Sequence, residues 1–373
     1  MTLTRLSGVL SLALCAAAPA RAEGLPAGVD PEEWAQFQET LDRYKDRMGD
    51  FQEEARSIVD AAEAEERQRI DASYGAQTRQ LEDTENALRR VAMSRLEAFL
   101  SKYPNTTHTP DMMFRLADLY FEESELQFFS ADEEYARIEA QAVNQPEMVL
   151  PPPPLKDYSR SIELYRQIIE RHPAYENLAD AYYMLAWCYA ATNAEQYDPL
   201  AARDVNVQIA QKWPGSDFAN DANMRLGEFW FDEPGAPGNP VSNVPVAMSY
   251  YNAVLADGPT GRNYDEAIYK LGWSFFKLNE YDRALAYLVQ LLDYSDQQFL
   301  ETGKVSNMRR EAVEYLAISY ADMGDAQGKS PLQVATAHLD RIGEKKWEHD
   351  VVERLAAILE VQTKYDEAIA VLD

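Results

Sequence analysis

The chain is poor in the residues that carry most protein chemistry. It has two cysteines and four histidines among 373 residues. His108, His172, His338 and His349 are scattered, and no His-x-x-x-His or Cys-x-x-Cys pair offers metal-ligand spacing. No Gly-x-Ser-x-Gly nucleophile elbow occurs. The nearest approach to a phosphate loop is "MGDAQGKS" at 323–330. It has one residue fewer between Gly324 and Gly328 than the Walker spacing, and it follows a helical stretch instead of a strand. It reads as a turn between helices. No catalytic, cofactor-binding or metal-binding residue can be nominated, and the chain reads as a non-enzyme without cofactors.

Basic residues are scarce as well. Lys and Arg number 35 against 63 Asp and Glu, a formal charge of −28. Such a surface repels nucleic acid and anionic lipid, so the expected partners are basic or apolar protein segments. Acidic pairs such as Glu122-Glu123 read as solvated helix faces. After the N-terminus no segment approaches the roughly 20 apolar residues that a bilayer span requires, so no integral membrane span is expected.

The N-terminus itself, "MTLTRLSGVLSLALCAAAPARAEG", has the three parts of a secretory signal: Arg5, an apolar stretch from Leu6 to Ala18, and Ala20-Arg21-Ala22 as a small-x-small cleavage site. Cleavage after Ala22 (residues 1–22 removed) makes Glu23 the first mature residue and takes the charge to −30. Export of this kind means a periplasmic location in a bacterium. Cys15 faintly resembles a lipobox cysteine, but Leu14 stands where a small residue belongs, which argues against a lipid anchor. Cys188 then remains alone, in "MLAWCYA", as a small core residue without a disulfide partner.

After a short linker at 23–30, residues 31–102 read as a helical arm rich in Glu, Gln, Ala and Arg. Asp30-Pro31 supplies a cap followed by proline at the first helical position. Trp34, Phe37, Leu41, Tyr44, Met48, Phe51, Ala55, Ile58 and Ala62 alternate spacings of three and four, an a/d seam. Glu65 and Arg69 break the frame, and apolar residues resume in a shifted register at Ile70, Tyr74 and Leu81. Either the supercoil unwinds locally or the helix turns back, with Gly75 the place for a turn. The arm is either a coiled coil that makes a homo-oligomer through residues 31–62 or an amphipathic helix folded against the first hairpin after it.

From residue 103 to 373 the pattern is repetitive. A leucine falls twelve residues after a proline four times: Pro104 to Leu116, Pro173 to Leu185, Pro214 to Leu226, Pro259 to Leu271. Six helical stretches read "FRLADLY", "YMLAWCY", "MRLGEFW", "YKLGWSF", "EYLAISY" and "ERLAAIL". The residue after the leucine is always Ala or Gly, and a large one stands four after it. The small residue lets a partner helix approach closely, and the large one fills the space beside it one turn on. Second helices come next, with a clean Tyr-x-x-Ala at Tyr281/Ala284 and Tyr365/Ala368, and proline then stops them. Proline-rich inserts interrupt near 144–155, an extended polyproline II strut, and 232–245, a loop; both read as spacers.

These residues resemble the tetratricopeptide repeat, best at 259–296 and 346–373. The expected fold is therefore all-α: an arm followed by about six tetratricopeptide-like hairpins. The variant pattern is similar to that of bacterial envelope proteins: the outer-membrane assembly lipoprotein, the coiled-coil cell-division coordinator and gliding-motility proteins. The last second helix is half its expected length and no polar capping helix comes after it, so the array is expected to continue past residue 373 or to be covered by a partner. The resemblance implies a protein-binding groove lined two before, two after and five after each leucine. Those residues are Phe114, Asp118 and Phe121; Tyr183, Trp187 and Ala190; Met224, Glu228 and Phe231; Tyr269, Trp273 and Phe276; then Glu314, Ile318, Glu353, Ala357 and Glu360. The lysine/asparagine carboxylate clamp of some family members is absent from them. The rings either receive an apolar segment with basic flanks or pack on neighbouring helices. An acidic residue stands five before each leucine (Asp111, Asp180, Asp221, Glu266, Glu311, Asp350), as helix N-termini favour. The implied function is a non-enzymatic periplasmic scaffold in a cell-envelope machine. The alternatives are an assembly or chaperone-like factor for outer-membrane or secreted clients, and the non-catalytic part of a longer enzyme.

Overall fold

The computed structural model describes residues 31–372 except 144 and 146, so the secretory signal, Cys15 and the linker lie outside the described residues. The fold is all-α. Helix α1 spans Pro31–Lys102 and α2 Thr109–Ala142. Then come α3 (Ser159–Arg171), α4 (Leu178–Ala190), α5 (Pro199–Lys212), α6 (Asp217–Asp232), α7 (Val244–Leu255) and α8 (Tyr264–Lys277). The last are α9 (Tyr281–Thr302), α10 (Arg309–Gln327), α11 (Pro331–Ile342), α12 (Glu348–Val361) and α13 (Tyr365–Leu372). No described helix is long and apolar enough to cross a membrane. By contacts the chain divides between Leu88 and Arg89.

Within residues 31–88 the helix neither turns back nor breaks at Gly75. Glycine costs about 1 kcal/mol there, while strong helix formers flank it and Arg79 Nε donates to the Gly75 carbonyl at 3.0 Å. Glu63–Arg67 and Glu66–Arg69 pairs at 2.7 and 2.6 Å add a few tenths of a kcal/mol each, since all four side chains are exposed. Met48, Phe51, Ile58, Ile70, Tyr74 and Leu81 are exposed.

In the second unit, α2 to α13 form consecutive pairs; each helix packs on the next as far as α11, and α12 packs on α10 and on α13. The reference leucines 116, 185, 226, 271, 316 and 355 are all buried, and so are the small residues that come after them. Gly227 faces the fully buried Tyr251 ring, which occupies the space a side chain would need. The repeated leucine-small pair is therefore the contact line between first and second helices. The arm's last turns join this unit: Arg89 lies 3.4 Å from Glu122 and 3.8 Å from Glu123, and Tyr120 bonds Glu97.

The first insert runs without helix between α2 and α3. Lys156 N–H donates to Asn193 O and Glu195 N–H to Lys156 O, both 2.9 Å, which fastens the insert to the loop after α4. The second lies between α6 and α7. In "MGDAQGKS" the helix continues through Gly324 and ends at Gly328, whose φ of 61° only glycine adopts freely. Ser330 then opens α11 with a capping box to Gln333. The acidic residue five before each leucine lies in the first helical turn in five cases, but Asp221 does not. It is buried on the fifth residue of α6 and has other partners.

The buried apolar residues form three clusters: one across α2–α5 reaching Ala222, one from Met224 to Leu271, and one from Ile268 to Val371. Leu255, Trp273 and Tyr287 border both later clusters, whereas no side chain belongs to both the first and second. Cys188 is buried in the first, and burial pushes its thiol up to about 12, so it is inert packing.

In the third cluster the Tyr320 hydroxyl lies 2.7 Å from Nδ1 of buried His338. With its proton on Nε2, the neutral ring accepts that bond. Burial, helped by Arg341 and opposed by Asp282, lowers the imidazole below its ordinary 6.5. A lowered histidine means that the unfolded chain binds the proton first. Its stabilising contribution is complete above pH 6.5 and is lost as the pH falls below that value. Burial raises Asp118, Glu266 and Asp322, which act in the opposite direction. His338→Asn keeps an acceptor for Tyr320 and removes only the titration. Urea titrations across mildly acidic pH are expected to show a steeper acid loss in the wild type than in this variant; equal slopes would refute the assignment.

Candidate protein-binding cavity

Where the first two core clusters part, a cavity of about 950 Å³ opens between α4, α5, α6 and the start of α8. Helix α4 supplies Tyr183, Trp187 and Ala190, one turn apart on a single face, and α6 supplies Met224, Arg225 and Glu228. The loop before α5 and its first turns add Tyr197, Leu200, Arg203 and Asn206, and Arg262, Asn263 and Glu266 come from the next hairpin. Trp187 is 43% exposed, Tyr197 47% and Leu200 54%, so the apolar wall is open. The Arg225 guanidinium lies 4.8 Å over Trp187 and 5.7 Å over Tyr183, contacts that hold both rings in place.

The polar wall is built from carboxylates with different partners. Glu228 accepts from the Tyr251 hydroxyl at 2.5 Å and pairs with Lys270 at 2.5 Å. Buried Asp221 accepts from Asn263 Nδ2 at 2.7 Å and lies 3.4 Å from Arg262 Nε. Asn263 precedes α8 in the left-handed region (φ 62°), and its side chain does not cap that helix but reaches α6 through Nδ2. The Glu266 carboxyl is raised by burial first and by the neighbouring Glu228 second, with Lys270 acting against them.

Of the groove residues expected from the repeat pattern, Tyr183, Trp187, Met224 and Glu228 meet at this cavity, with Ala190. The others do not. Phe114 packs on Tyr165 and Tyr175 at 5.7 and 6.4 Å, and Phe121 stacks on Tyr158 at 4.9 Å. Phe231, Tyr269, Trp273 and Phe276 join a ring cluster around Tyr315, with Phe231–Trp273 at 4.8 Å and Trp273–Tyr315 at 5.7 Å. Lys270 and Lys277 lie over Phe231. Here packing on neighbouring helices accounts for the rings. Tyr197, Leu200, Arg203, Asn206 and Arg262 escape a periodicity that tracks first helices only, because second helices and loops supply them. No group of three or more His, Cys, Asp or Glu among the described residues is arranged for a metal ion.

The hairpin that closes this wall is also where the chain matches known proteins. Residues 266–295 match the tetratricopeptide repeat family. That tetratricopeptide repeat takes in most of α8 and α9, beginning at Glu266. Two solved structures of nearly identical TPR-like repeats from a Podosopora anserina protein assigned as a kinesin light chain, one of them a point variant, are similar to this chain. The variant is 16% identical over 52% of this chain and 90% of its own, with a TM-score of 0.32; the other is 14% identical over 54% and 93%, with a TM-score of 0.33. Among curated proteins none matches this chain.

Proposed function

We propose that the protein is a non-enzymatic scaffold whose stacked hairpins hold a segment of a partner protein. The tetratricopeptide repeat at 266–295 supports this reading, because hairpin repeats of that kind act as binding surfaces. The observation that carries it is the cavity beside α4, where Trp187, Tyr197 and Leu200 stay exposed while the comparable rings of α2 and α8 are packed. Exposed rings around a central pocket, rimmed by charge, have the make-up of a protein-recognition site.

The five other pairs are read as divergent copies of the same repeat. The N-terminal signal supports export, which makes the setting a bacterial periplasm and the partners components of an envelope machine. The seam at 31–62, where Met48, Phe51 and Ile58 are exposed, supports pairing with a second copy.

Photo-crosslinking in the native cell tests the scaffold. A photoreactive residue at Trp187 or Leu200 is expected to capture the same discrete partner from the envelope fraction, while one at Arg283, on the surface of α9, captures none. Crosslinks confined to the chain itself would refute the reading.

A further inference from the structure

The exposed apolar side chains of the arm follow one period, and it is not the heptad. Met48, Val59, Ile70 and Leu81 stand eleven residues apart, and all four are exposed. Eleven residues make three turns of an α-helix with about 20° to spare, so the four lie along one side of it. Tyr74 and Leu88, also exposed, fall on the same side. In this period no frame shift occurs at Glu65 and Arg69, and the helix runs through them unbroken.

The seam positions on that side between residues 52 and 88 are spaced 3-4-4-3-4 up to Ile70 and 4-3-4-4-3 after it. They read the same in both directions, which is the condition for meshing with a second copy about a two-fold axis through Ile70. Val59 then lies opposite the second copy's Leu81. Between Val59 and Leu81 the charged residues of the seam are Glu63 and Glu66. Parallel pairing in register would set each glutamate against its own counterpart, a repulsion that Arg67 and Arg69 beside them only reduce. Antiparallel pairing sets Glu63 against Gln77 and Glu66 against Tyr74, an amide and a hydroxyl that can donate to them. Residues 52–88 make a seam about 55 Å long, and a strip about 10 Å wide on each copy buries about 1,100 Å² in all, enough for a specific interface. We propose that the arm pairs with a second copy of this chain in antiparallel register, along an eleven-residue seam centred on Ile70. This rests on the pairing reading of the arm, carries the seam on from residue 62 to 88, and gives it a direction. The eleven-residue period makes the pair nearly straight and slightly right-handed.

The test uses the full chain with Cys15→Ser, since buried Cys188 is inert. Val59→Cys and Leu81→Cys are each oxidised alone, and again after mixing under reducing conditions. The mixture is expected to give a disulfide-linked dimer, and neither variant alone to give one. Each variant linking to itself would mean parallel pairing, and would overturn the proposal while leaving the pairing of arms intact. Sedimentation equilibrium supplies the second measurement. The wild type is expected to be a dimer, and Ile70→Glu, which sets two carboxylates together at the axis, a monomer. Ile70 is exposed, so the substitution removes no core contact within the chain. A dimer that survives Ile70→Glu, or an assembly larger than a dimer, would overturn the seam. A wild type that stays monomeric would overturn the pairing reading and the proposal together.

Discussion

Trp347→Ala is expected to destabilise the last hairpins by about 3–5 kcal/mol, the range for truncating a large buried aromatic residue. Trp347 is fully buried just before α12, its Nε1 donates to Asp293 Oδ1 at 3.0 Å, and Lys345 holds the other carboxylate oxygen at 2.6 Å. The ring thus fills the junction of α9, α10 and α12, and its polar edge is satisfied. Lys345 remains as a partner for Asp293 in the variant, so the loss comes mainly from the cavity and only secondarily from the bond. Because stacked repeats are stabilised by their neighbours, the loss should be local. Hydrogen exchange should rise across 309–372 and stay unchanged in α3 to α5. Uniform loss of protection, or none, would count against this account of the core.

The second large effect separates two glycines at the same repeat position. At Gly227 an added Cβ would lie 2.6 Å from Cδ1 and 2.8 Å from Cζ of Tyr251, and closer still to Cε1. Tyr251 is fully buried and tied by its hydroxyl to Glu228, so the ring cannot step aside. Overpacking of this kind costs about 1–3 kcal/mol, and a contact this close lies at the upper end, against about 1 kcal/mol gained by replacing glycine in a helix. Gly227→Ala should therefore lose about 2 kcal/mol. At Gly272 the nearest atoms are Leu288 Cδ2 and Cγ at 3.1 and 3.2 Å, a tight fit in which a flexible leucine has only to shift slightly. The helix gain then offsets the crowding, and Gly272→Ala should stay within about 0.5 kcal/mol of the wild type. Paired urea titrations measure both. Equal effects would mean that the close approach at Gly227 is not what the glycine serves.

The leucine and the small residue, present in all six pairs, and the proline, present before four of them, were legible because each answers a local need: burial, close approach and a helix stop. Leu271 and Ala317 fall where that periodicity puts them, and both are fully buried. The same periodicity treats all six first helices alike, and the candidate site depends on how they differ. Trp187 and Trp273 occupy equivalent positions, yet Tyr315, which stands at neither an expected groove position nor a core one, packs on Trp273. No ring among the described residues packs on Trp187, over which Arg225 lies. Asp221 read as helix-end electrostatics, but α6 starts early enough to place it a full turn in, facing Asn263. Contacts across residues far apart in the chain decide such cases, and no local pattern records them. At Gly75 the shifted register suggested a bend; the helix carries on because one glycine costs less than the hydrogen bonds a turn would forfeit.

The break between the first two apolar clusters at α6 has a mechanical side. Helices α5 and α6 pack closely across that joint, yet no buried side chain is common to the two cores on either side, and the cavity lies beside it. A segment lodged from α5 across to α8 would add a tie between the two cores. Its capture would then stiffen the array as well as tether the cargo, and pulling on either flank would be felt at the pocket.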